Sequence, residues 1–182
     1  MQSSLSSPLA IAAVAAPGVS GRVGLTLCPG KKDRDGGWDR DLKIDVGVMR
    51  DWGAEVVVSL IETSEFEMLD VVDLPTVVEE HGMRWVHLPI VDVSVPDQRF
   101  ETRWIAAGAD LRGVLRRGGR VLVHCRGGLG RAGTIAARLL VELDMDPAQA
   151  IRAVRRVRPG AIETLEQVQH VLSCRPIADV AG

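Results

Sequence analysis

The chain has 182 residues, of which 46% are hydrophobic and 25% are charged, a composition that supplies a substantial core and excludes a disordered polypeptide. Its 22 basic and 24 acidic residues give a formal charge of −2, so nothing in the total charge points to nucleic acid or an anionic membrane surface. No apolar run approaches the roughly 20 residues that span a bilayer. We therefore expect a single domain over residues 1–182, with no nucleic-acid and no membrane partner.

The cysteines indicate the compartment in which the chain works. Cys28, Cys125 and Cys174 are too few and too unevenly spaced for a disulfide framework or a four-ligand zinc site. We therefore expect no metal and no cofactor, and a reducing, cytoplasmic location. The first residues resemble a secretory signal only superficially, since no Lys or Arg precedes Arg22 and the apolar run has eight residues. That run is predicted to be a first β-strand.

Apolar periodicity predicts strands and helices in alternation along the first half of the chain. Continuous apolar or β-branched runs favour strands at residues 9–16, 22–27, 55–61 and 84–88. Helical spacing covers residues 39–52, 66–69 and 74–81. Residues 28–38 are rich in Gly, Lys and Asp and are predicted to form an exposed loop.

The second half continues the alternation and ends in helices. A helical pattern over residues 104–115 leads to a short buried strand at Arg120–His124. The last helices are predicted at residues 132–143, 147–157 and 162–172. Strand, crossover helix and strand in succession predict an α/β fold with a central, mostly parallel sheet flanked by helices. Ligands of such sheets bind beyond the carboxyl ends of the strands.

A glycine-rich segment, H-C-R-G-G-L-G-R-A-G-T, begins at His124, where the last predicted strand gives way to a helix. Its glycines let the backbone curl without Cβ clashes, so that successive N–H groups can cradle the oxygens of a phosphate. The positive end of the following helix adds to that field. The residues predicted to bind phosphate are Arg126, Gly127, Gly128, Leu129, Gly130 and Arg131.

Two residues of this segment are predicted to carry the chemistry. Five residues separate Cys125 from Arg131, a spacing that suits a closed loop returning a planar guanidinium to the same anion. Inward N–H groups, the helix end and Arg131 all favour the thiolate of Cys125. Cys125 is therefore predicted to be the nucleophile and Arg131 the phosphate-binding cation.

The loop resembles the signature of cysteine-dependent phosphatases, and its G-G-L-G-R wording is similar to that of the cyclin-dependent-kinase-associated dual-specificity phosphatases. Three further segments resemble that family in the same order: L-C-P-G-K-K-D at Cys28, L-P-I-V-D-V-S-V-P-D at Asp92 and G-A-I-E-T-L-E-Q at Glu163. The resemblance covers nearly the whole chain. It implies a dual-specificity-phosphatase-like fold and a phosphorylated protein as the substrate.

The resemblance also implies a mechanism that needs an acid. In that family, phosphate passes from the substrate to the cysteine while an aspartic acid protonates the departing oxygen, and water then hydrolyses the phosphocysteine. Asp92 and Asp97 both precede the motif by a suitable separation. The P-I-V-D wording favours Asp92 as the acid, positioned within hydrogen-bond reach of the leaving group. Asp97 follows Pro96 and precedes a helical pattern, so it is also a candidate for the helix N-cap.

Two further positions are supporting candidates. His124 either supports the thiolate by local hydrogen bonding, as the resemblance implies, or is a core residue with satisfied hydrogen bonds. The family's later motif places a glutamine to position water, whereas this chain has Glu163 there and Gln167 four residues on. Gln167 is the better candidate because an amide both donates and accepts, and the alternative is an exposed helix residue.

The residue after the arginine departs from the family pattern. It is usually Ser or Thr, whose hydroxyl helps the sulfur leave, but here it is Ala132, with Thr134 two residues further on. Breakdown of the phosphocysteine is therefore expected to be slow. A phosphoprotein-binding module without turnover is an alternative that this departure keeps open.

Other functions are also open at this point. A phosphoinositide or other small-molecule phosphatase typically has two added basic residues in the loop, whereas this loop has only Arg126. A sulfurtransferase also holds an anion in a cysteine loop, but it does not need an upstream acid. The chain has no tyrosine and two phenylalanines, which favours a shallow site accepting phosphoserine, phosphothreonine and phosphotyrosine over a deep phosphotyrosine slot.

An arginine run marks the penultimate helix and its end. It consists of Arg152, Arg155, Arg156 and Arg158. Such a run is predicted to be a solvated face, with docking of an acidic or phosphorylated partner as the alternative.

Overall fold

The computed structural model describes residues 1–33 and 35–178. Its strands are β1 (Ala12–Val14), β2 (Arg22–Thr26), β3 (Lys32–Asp33), β4 (Trp38–Asp39), β5 (Val56–Ser59), β6 (Arg84–His87) and β7 (Arg120–His124). Its helices are α1 (Leu42–Trp52), α2 (Thr63–Met68), α3 (Leu74–Glu80), α4 (Gln98–Arg116), α5 (Gly130–Glu142), α6 (Pro147–Val157) and α7 (Leu165–Ser173). Strands and helices therefore alternate through the chain until the helices at its end, as the apolar periodicity predicts.

Five of the strands form one sheet in the order β1-β2-β7-β5-β6. β2, β7, β5 and β6 run parallel, and β1 lies antiparallel to β2 at one edge. The prediction of a central, mostly parallel sheet flanked by helices is confirmed. β7 occupies the centre, so its last residue, His124, lies beside Thr26 at the end of β2 and Ser59 at the end of β5. The glycine-rich loop therefore starts from the middle of the sheet's carboxyl edge.

Helices cover both faces of this sheet. The side chains of β7 alternate: Val121 and Val123 pack in a cluster with α4, α5, α6 and α7, and Leu122 packs in a second cluster with α1, α2 and α3. Burial on both faces explains why the parallel strands are continuous apolar runs in the sequence. α5 is buried along its whole length and so anchors the loop that precedes it. None of the helices in residues 1–33 and 35–178 is both long and apolar enough to cross a bilayer.

The prediction of an exposed loop at residues 28–38 is wrong for residues 28–31, which are buried, whereas Lys32, Asp35 and Gly36 are exposed. β3 and β4 form an antiparallel hairpin there, and the Lys31 residue that precedes it is only 5% exposed. Lys31 Nζ lies 4.4 Å from the centre of the Trp38 ring and donates to the backbone oxygen of Arg126 at 3.3 Å. Composition missed this arrangement because a lysine stem can be buried when its ammonium group finds a ring face and a carbonyl.

Five helix starts differ from those that the apolar spacing predicts. α1 begins at Leu42 rather than at residue 39, and α2 begins at Thr63 rather than at residue 66. α4 begins at Gln98 rather than at residue 104, behind the N-cap Asp97. α5 begins at Gly130 rather than at residue 132. α7 begins at Leu165 rather than at residue 162, because the Thr164 side chain caps it and Ile162 has a φ of +61°. Side-chain caps, which apolar spacing does not register, mark the starts of α4 and α7.

Candidate active site

The glycine-rich loop connects the end of β7 to the first residue of α5 over residues 125–129. Gly128 has a φ of +71°, and a Cβ at this position would lie 2.4 Å from the backbone oxygen of Thr26. Glycine is required there for both reasons. The loop is therefore packed against the strand ends, at the sheet edge where this architecture binds ligands.

Arg131, in the first turn of α5, is held tightly by its guanidinium and is 1% exposed. Nη1 and Nη2 donate to the two carboxylate oxygens of Glu65 at 2.6 and 2.9 Å. Nη1 also donates to the backbone oxygen of Ile90 at 3.0 Å, and Nη2 lies 2.9 Å from Oδ1 of Asp92. Nε is buried and has no hydrogen-bond partner among the described residues. The side chain is thus fixed at its tip and retains one unpaired donor.

Glu65 is a site residue that sequence reasoning missed. It lies in the first turn of α2, where its side chain also accepts from the backbone N–H of Glu62 at 2.7 Å. Burial works to raise the pKa of Glu65, but the hydrogen bonds from Arg131 and Glu62 outweigh it and the pKa is lowered. Burial likewise opposes the charge of Arg131, yet hydrogen bonds to Glu65 and the nearby Cys125 raise its pKa. The one signal in the sequence is the capping pattern E-T-S-E at the helix start.

Cys125 lies at the other end of the loop and is 3% exposed. It follows the last residue of the central strand directly, so the sheet fixes its position. The neighbouring charges that raise the pKa of Arg131 include Cys125, so the structure brings the predicted nucleophile and the predicted phosphate-binding cation together. Within the described part of the chain, no group of three or more His, Cys, Asp or Glu side chains is arranged to hold a metal ion.

The structure separates the two candidate acids. Asp92 lies between β6 and α4 with its side chain 50% exposed, and its Oδ1 contacts Arg131 Nη2 at 2.9 Å. The same oxygen accepts from the backbone N–H of Val93 at 3.0 Å. Asp97 is the N-cap of α4, where its Oδ1 accepts from the backbone N–H of Phe100 at 2.9 Å. Asp92 therefore contacts the arginine of the loop, and Asp97 caps a helix.

His124 is fully buried between neighbouring strands and the loop. Its Nε2 lies 2.6 Å from Ser59 Oγ, and Trp85 Nε1 donates to the same Oγ at 2.8 Å. Because Trp85 already donates to this hydroxyl, the hydroxyl hydrogen can serve Nε2, and we assign the histidine proton to Nδ1. Nδ1 lies 3.4 Å from the backbone oxygen of Cys125. Burial lowers the pKa of His124 to about 4, so the ring is neutral at pH 7.

Gln167 is buried, and its amide binds three backbone groups and lies beside Gly130, with Nε2 and Oε1 3.0 and 3.1 Å from a Cβ placed on that glycine. Oε1 accepts from the N–H groups of Glu163 and Thr164 at 2.9 and 3.2 Å, and Nε2 donates to the oxygen of Ser94 at 3.1 Å. It therefore ties the segment that carries the candidate acid to the start of α7. The alternative of an exposed helix residue is wrong because Gln167 is buried, whereas its water-positioning role stays a prediction.

Glu163 lies beside the same glycine as Gln167, at the end of the loop. Its side chain is exposed, and its Oε2 would lie 2.3 Å from a Cβ placed on Gly130. Gly130 is the first residue of α5, where backbone N–H groups have no partner inside the helix. A carboxylate at this helix end stands where it can contact a water molecule that approaches the loop.

The hydroxyl missing at Ala132 is not replaced by Thr134. Ala132 is completely buried in the larger core cluster. Thr134 Oγ1 donates to the backbone oxygen of Gly130 at 2.7 Å, so its hydrogen points into its own helix.

Arg126, one of the predicted phosphate-binding residues, is engaged outside the loop. Its Nη2 donates to Asp33 Oδ2, on the β3–β4 hairpin, at 2.8 Å. This hydrogen bond lowers the pKa of Asp33 and raises the pKa of Arg126. The side chain of Arg126 is 41% exposed, so its charge is offset at the rim of the site.

The prediction of a solvated arginine face is confirmed for three of its four members and wrong for Arg158, which is half-buried. Arg155 donates to the backbone oxygens of Ala161 and Ile162 at 3.0 and 2.9 Å. Arg158 donates to the oxygens of two loop glycines, 127 and 128. Both side chains thus bind carbonyl groups that the sequence pattern does not reveal. Arg152, Arg155 and Arg156 are exposed, as predicted.

Residues 45–171 match the protein family described as PTP-SAK, Swiss Army Knife protein, DSP-PTPase phosphatase domain. Among curated proteins, Cyclin-dependent kinase inhibitor 3 of Rattus norvegicus is 32% identical over 152 residues, which cover 82% of this chain and 69% of that protein. The protein of the same name from Homo sapiens is 30% identical over 156 residues, with the same two coverages of 82% and 69%.

Solved structures show the same likeness. A kinase associated phosphatase, crystallised with a serine in place of its catalytic-site cysteine, has a TM-score of 0.81 at 28% identity. The likeness covers 91% of this chain and 93% of that one. The active form of Tk-PTP has a TM-score of 0.65 at 27% identity, over 85% of this chain and 94% of that one.

Proposed function

Since the chain belongs to the DSP-PTPase phosphatase domain family, we propose that it hydrolyses phosphoserine, phosphothreonine and phosphotyrosine in proteins through a phosphocysteine at Cys125. Its relatives make it a cysteine-dependent protein phosphatase of the dual-specificity type. The residue roles proposed for this chain are nucleophile for Cys125, phosphate-binding cation for Arg131 and general acid for Asp92. The backbone of residues 126–130 is proposed to hold the phosphate oxygens.

The observation that carries this proposal is the unpaired Nε of Arg131. A buried donor without an acceptor costs roughly 1–3 kcal/mol, so such donors are rare in a folded chain. The rest of the guanidinium is fixed by Glu65 and Ile90, so the side chain cannot turn to find another partner. A phosphate oxygen held by the loop would supply the missing acceptor, and the guanidinium is planar and suited to that contact.

The first chemical step forms a bond from Cys125 Sγ to phosphorus and breaks the phosphorus–oxygen bond of the substrate. The leaving oxygen takes a proton from Asp92, which must then be in its acid form. In the structure, Asp92 Oδ1 lies 2.9 Å from Arg131 Nη2 and forms an ion pair with it. The incoming phosphate replaces that contact, and this frees the carboxyl group to turn toward the leaving group.

The second step returns the enzyme to its starting state. Water attacks phosphorus, the bond to Cys125 Sγ breaks, and inorganic phosphate leaves with the water oxygen. A carboxylate must accept the water's proton, and Asp92, having lost its own proton in the first step, is the group that takes it. Glu163, exposed beside Gly130, is proposed to orient the water. Gln167, whose amide also lies beside Gly130, is proposed to assist through the second hydrogen of its Nε2.

Phosphate esters that carry further anionic groups are a weaker fit. The basic side chain that the loop adds, Arg126, already donates to Asp33 at 2.8 Å. Soluble inositol phosphates are therefore expected to be turned over less well than phosphopeptides. The reverse preference would assign the chain to small-molecule phosphatases, and turnover of thiosulfate would assign it to sulfurtransferases.

We propose a reducing, cytoplasmic location for the enzyme. The mechanism needs Cys125 as a free thiolate, and all three cysteines are unpaired in the structure. Cell fractionation with an antibody to the chain tests this proposal, and recovery from an oxidising compartment would contradict it.

The proposed nucleophile is tested by Cys125→Ser, which exchanges a thiolate for a hydroxyl of nearly the same shape. We expect this variant to lose hydrolysis of an aryl phosphate and to keep orthophosphate binding, measured by calorimetry. Cys174→Ser, at the C-terminal end of α7, is the matched control and should keep both activities. Retained turnover in Cys125→Ser would exclude the phosphocysteine mechanism.

A further inference from the structure

Arg158 contacts the glycine-rich loop from outside. It is the residue directly after α6, and its Nη2 donates to the backbone oxygen of Gly127 at 3.0 Å. Its Nε donates to the backbone oxygen of Gly128 at 3.2 Å. One planar guanidinium therefore binds two consecutive carbonyl groups of the loop.

Lys31 contacts the carbonyl group of Arg126, the loop residue that directly precedes Gly127. Its Nζ donates to the backbone oxygen of Arg126 at 3.3 Å, and the backbone N–H of Cys28 donates to the same oxygen at 3.3 Å. The ammonium group also lies over the Trp38 ring. Burial lowers the pKa of Lys31, while Cys28, Asp33 and Cys125 nearby raise it in part.

The carbonyl group of Leu129, which follows Gly128, is bound by backbone N–H groups alone. The oxygen of Leu129 accepts from the N–H groups of Gly133, within α5, and Ile162 at 2.9 and 3.2 Å. The carbonyl groups of residues 126–129 are thus all bound by donors from residues 28–31, 158 and 162, together with Gly133.

The orientation of these carbonyl groups fixes the N–H groups of the loop. In a trans peptide the C=O of one residue and the N–H of the next lie in one plane and point in opposite directions. The N–H groups of Gly127, Gly128 and Leu129 find no acceptor among the described residues. Four carbonyl groups turned outward therefore turn the N–H groups of residues 127–130 toward the centre of the loop.

We propose that Arg158 and Lys31 are positioning residues that bind the outer carbonyl groups of the loop and thereby hold its N–H groups toward the substrate phosphate. This role rests on the proposed function, because it assigns a purpose to the loop only if the loop binds a phosphate. Glycine peptides rotate more freely than others, so a loop with three glycines needs such external contacts to stay in one conformation. The N–H groups of the loop are then oriented before the substrate binds, which is the condition for strong electrostatic stabilisation.

Side-chain variants test this proposal. Arg158→Met removes both hydrogen bonds, and Arg158→Lys keeps the charge but replaces the two nitrogens of the planar guanidinium by a single nitrogen. We expect both variants to bind orthovanadate about tenfold more weakly than the parent, the equivalent of about 1.4 kcal/mol. Lys31→Met should act in the same direction. Arg156→Met, an exposed arginine of α6, is the matched control and should bind orthovanadate like the parent.

A second readout needs no substrate. The pH dependence of iodoacetamide alkylation at Cys125 reports how strongly the loop stabilises the thiolate. Its midpoint should move to higher pH in Arg158→Lys and Arg158→Met and stay in place in Arg156→Met. A purely structural role would lower the melting temperature without moving this midpoint. Parent-like vanadate affinity and midpoint in both Arg158 variants would overturn the proposal.

The two proposals fail in different ways. If the parent chain neither hydrolyses an aryl phosphate nor binds vanadate, the proposed function fails, and the positioning role fails with it. If the parent does both and the variants match it, only the positioning role fails. The alkylation midpoint, measured on the folded chain at a temperature well below melting, decides the second case even for a variant of reduced stability.

Discussion

At the scale of single residues, the site depends on carboxylates with different partners. Glu65 is buried and binds both terminal nitrogens of Arg131, whereas Asp92 is half exposed and touches only one of them. A buried, doubly bonded carboxylate serves as a fixed counter-ion, and an exposed, singly bonded one is able to move and exchange protons. This difference is the physical reason for proposing Asp92 rather than Glu65 as the acid.

The acid assignment predicts a dependence on the leaving group. Asp92→Asn should reduce turnover of a phosphate ester with a poor leaving group by roughly 100- to 10,000-fold, and much less with an activated aryl ester. Asp97→Asn is the comparison, because Asp97 caps α4 and should affect stability by about 1 kcal/mol without this dependence. Steady-state kinetics on both esters measures it. The assignment is reversed if Asp97→Asn shows the leaving-group dependence and Asp92→Asn does not.

At the scale of elements, the strands and long helices could be predicted from the sequence, because burial on both faces of a sheet requires continuous runs of apolar residues. The loop at 125–131 was accessible for a different reason, since its residue types and spacing are demanded by anion binding. The hairpin of β3 and β4 and the buried Lys31 before it were missed because this segment is hydrophilic by composition. Glu65 and the loop contacts of Arg158 were missed because they join residues far apart in the sequence.

A series of hydrogen bonds links three neighbouring strands. It runs from Trp85 of β6 through Ser59 of β5 to His124 of β7. Since burial lowers the pKa of His124 from 6.5 to about 4, the unfolded state binds a proton between these values that the folded state does not bind. Stability therefore falls as the pH drops from 6.5 toward 4. In the folded state the ring stays neutral over this range, so its hydrogen bonds are kept until the pH falls to about 4.

This linkage gives a measurable pH dependence. Between pH 7 and pH 4, the parent should lose on the order of 3 kcal/mol more unfolding free energy than His124→Asn, which has no ring to protonate. Urea unfolding at several pH values measures the difference. His81→Asn, at the end of α3, is the control and should follow the parent. Parallel curves for the parent and His124→Asn would contradict the neutral, buried state of His124.

At the scale of the whole molecule, the two core clusters share their strands. Val56 and Val58 of β5 pack in one cluster and Val57 packs in the other, so neither face of the sheet can lose its helices without exposing the strand. We propose on this ground that the chain folds as one domain. The urea titrations should then show one cooperative transition.

The loop's position follows from this architecture. The central strand delivers Cys125 to the sheet edge, and the buried helix α5 delivers Arg131 to the same place. Segments before β3, after β6 and after α6 then contribute Lys31, Asp92 and Arg158. We propose that these residues together serve the transfer of phosphate to Cys125 and its release by water.

Trapping the intermediate tests that claim most directly. Because Ala132 supplies no hydroxyl to help the sulfur leave and Thr134 donates within its helix, breakdown of the phosphocysteine should be the slower step. Rapid mixing with an activated aryl phosphate should give a burst of leaving group equal to the enzyme concentration. Acid quenching and peptide mass spectrometry should then place one phosphoryl group on Cys125, and Ala132→Ser should speed the steady state without changing the burst rate. Turnover by the parent with no phosphoryl group on Cys125, or with one on another residue, would contradict the account.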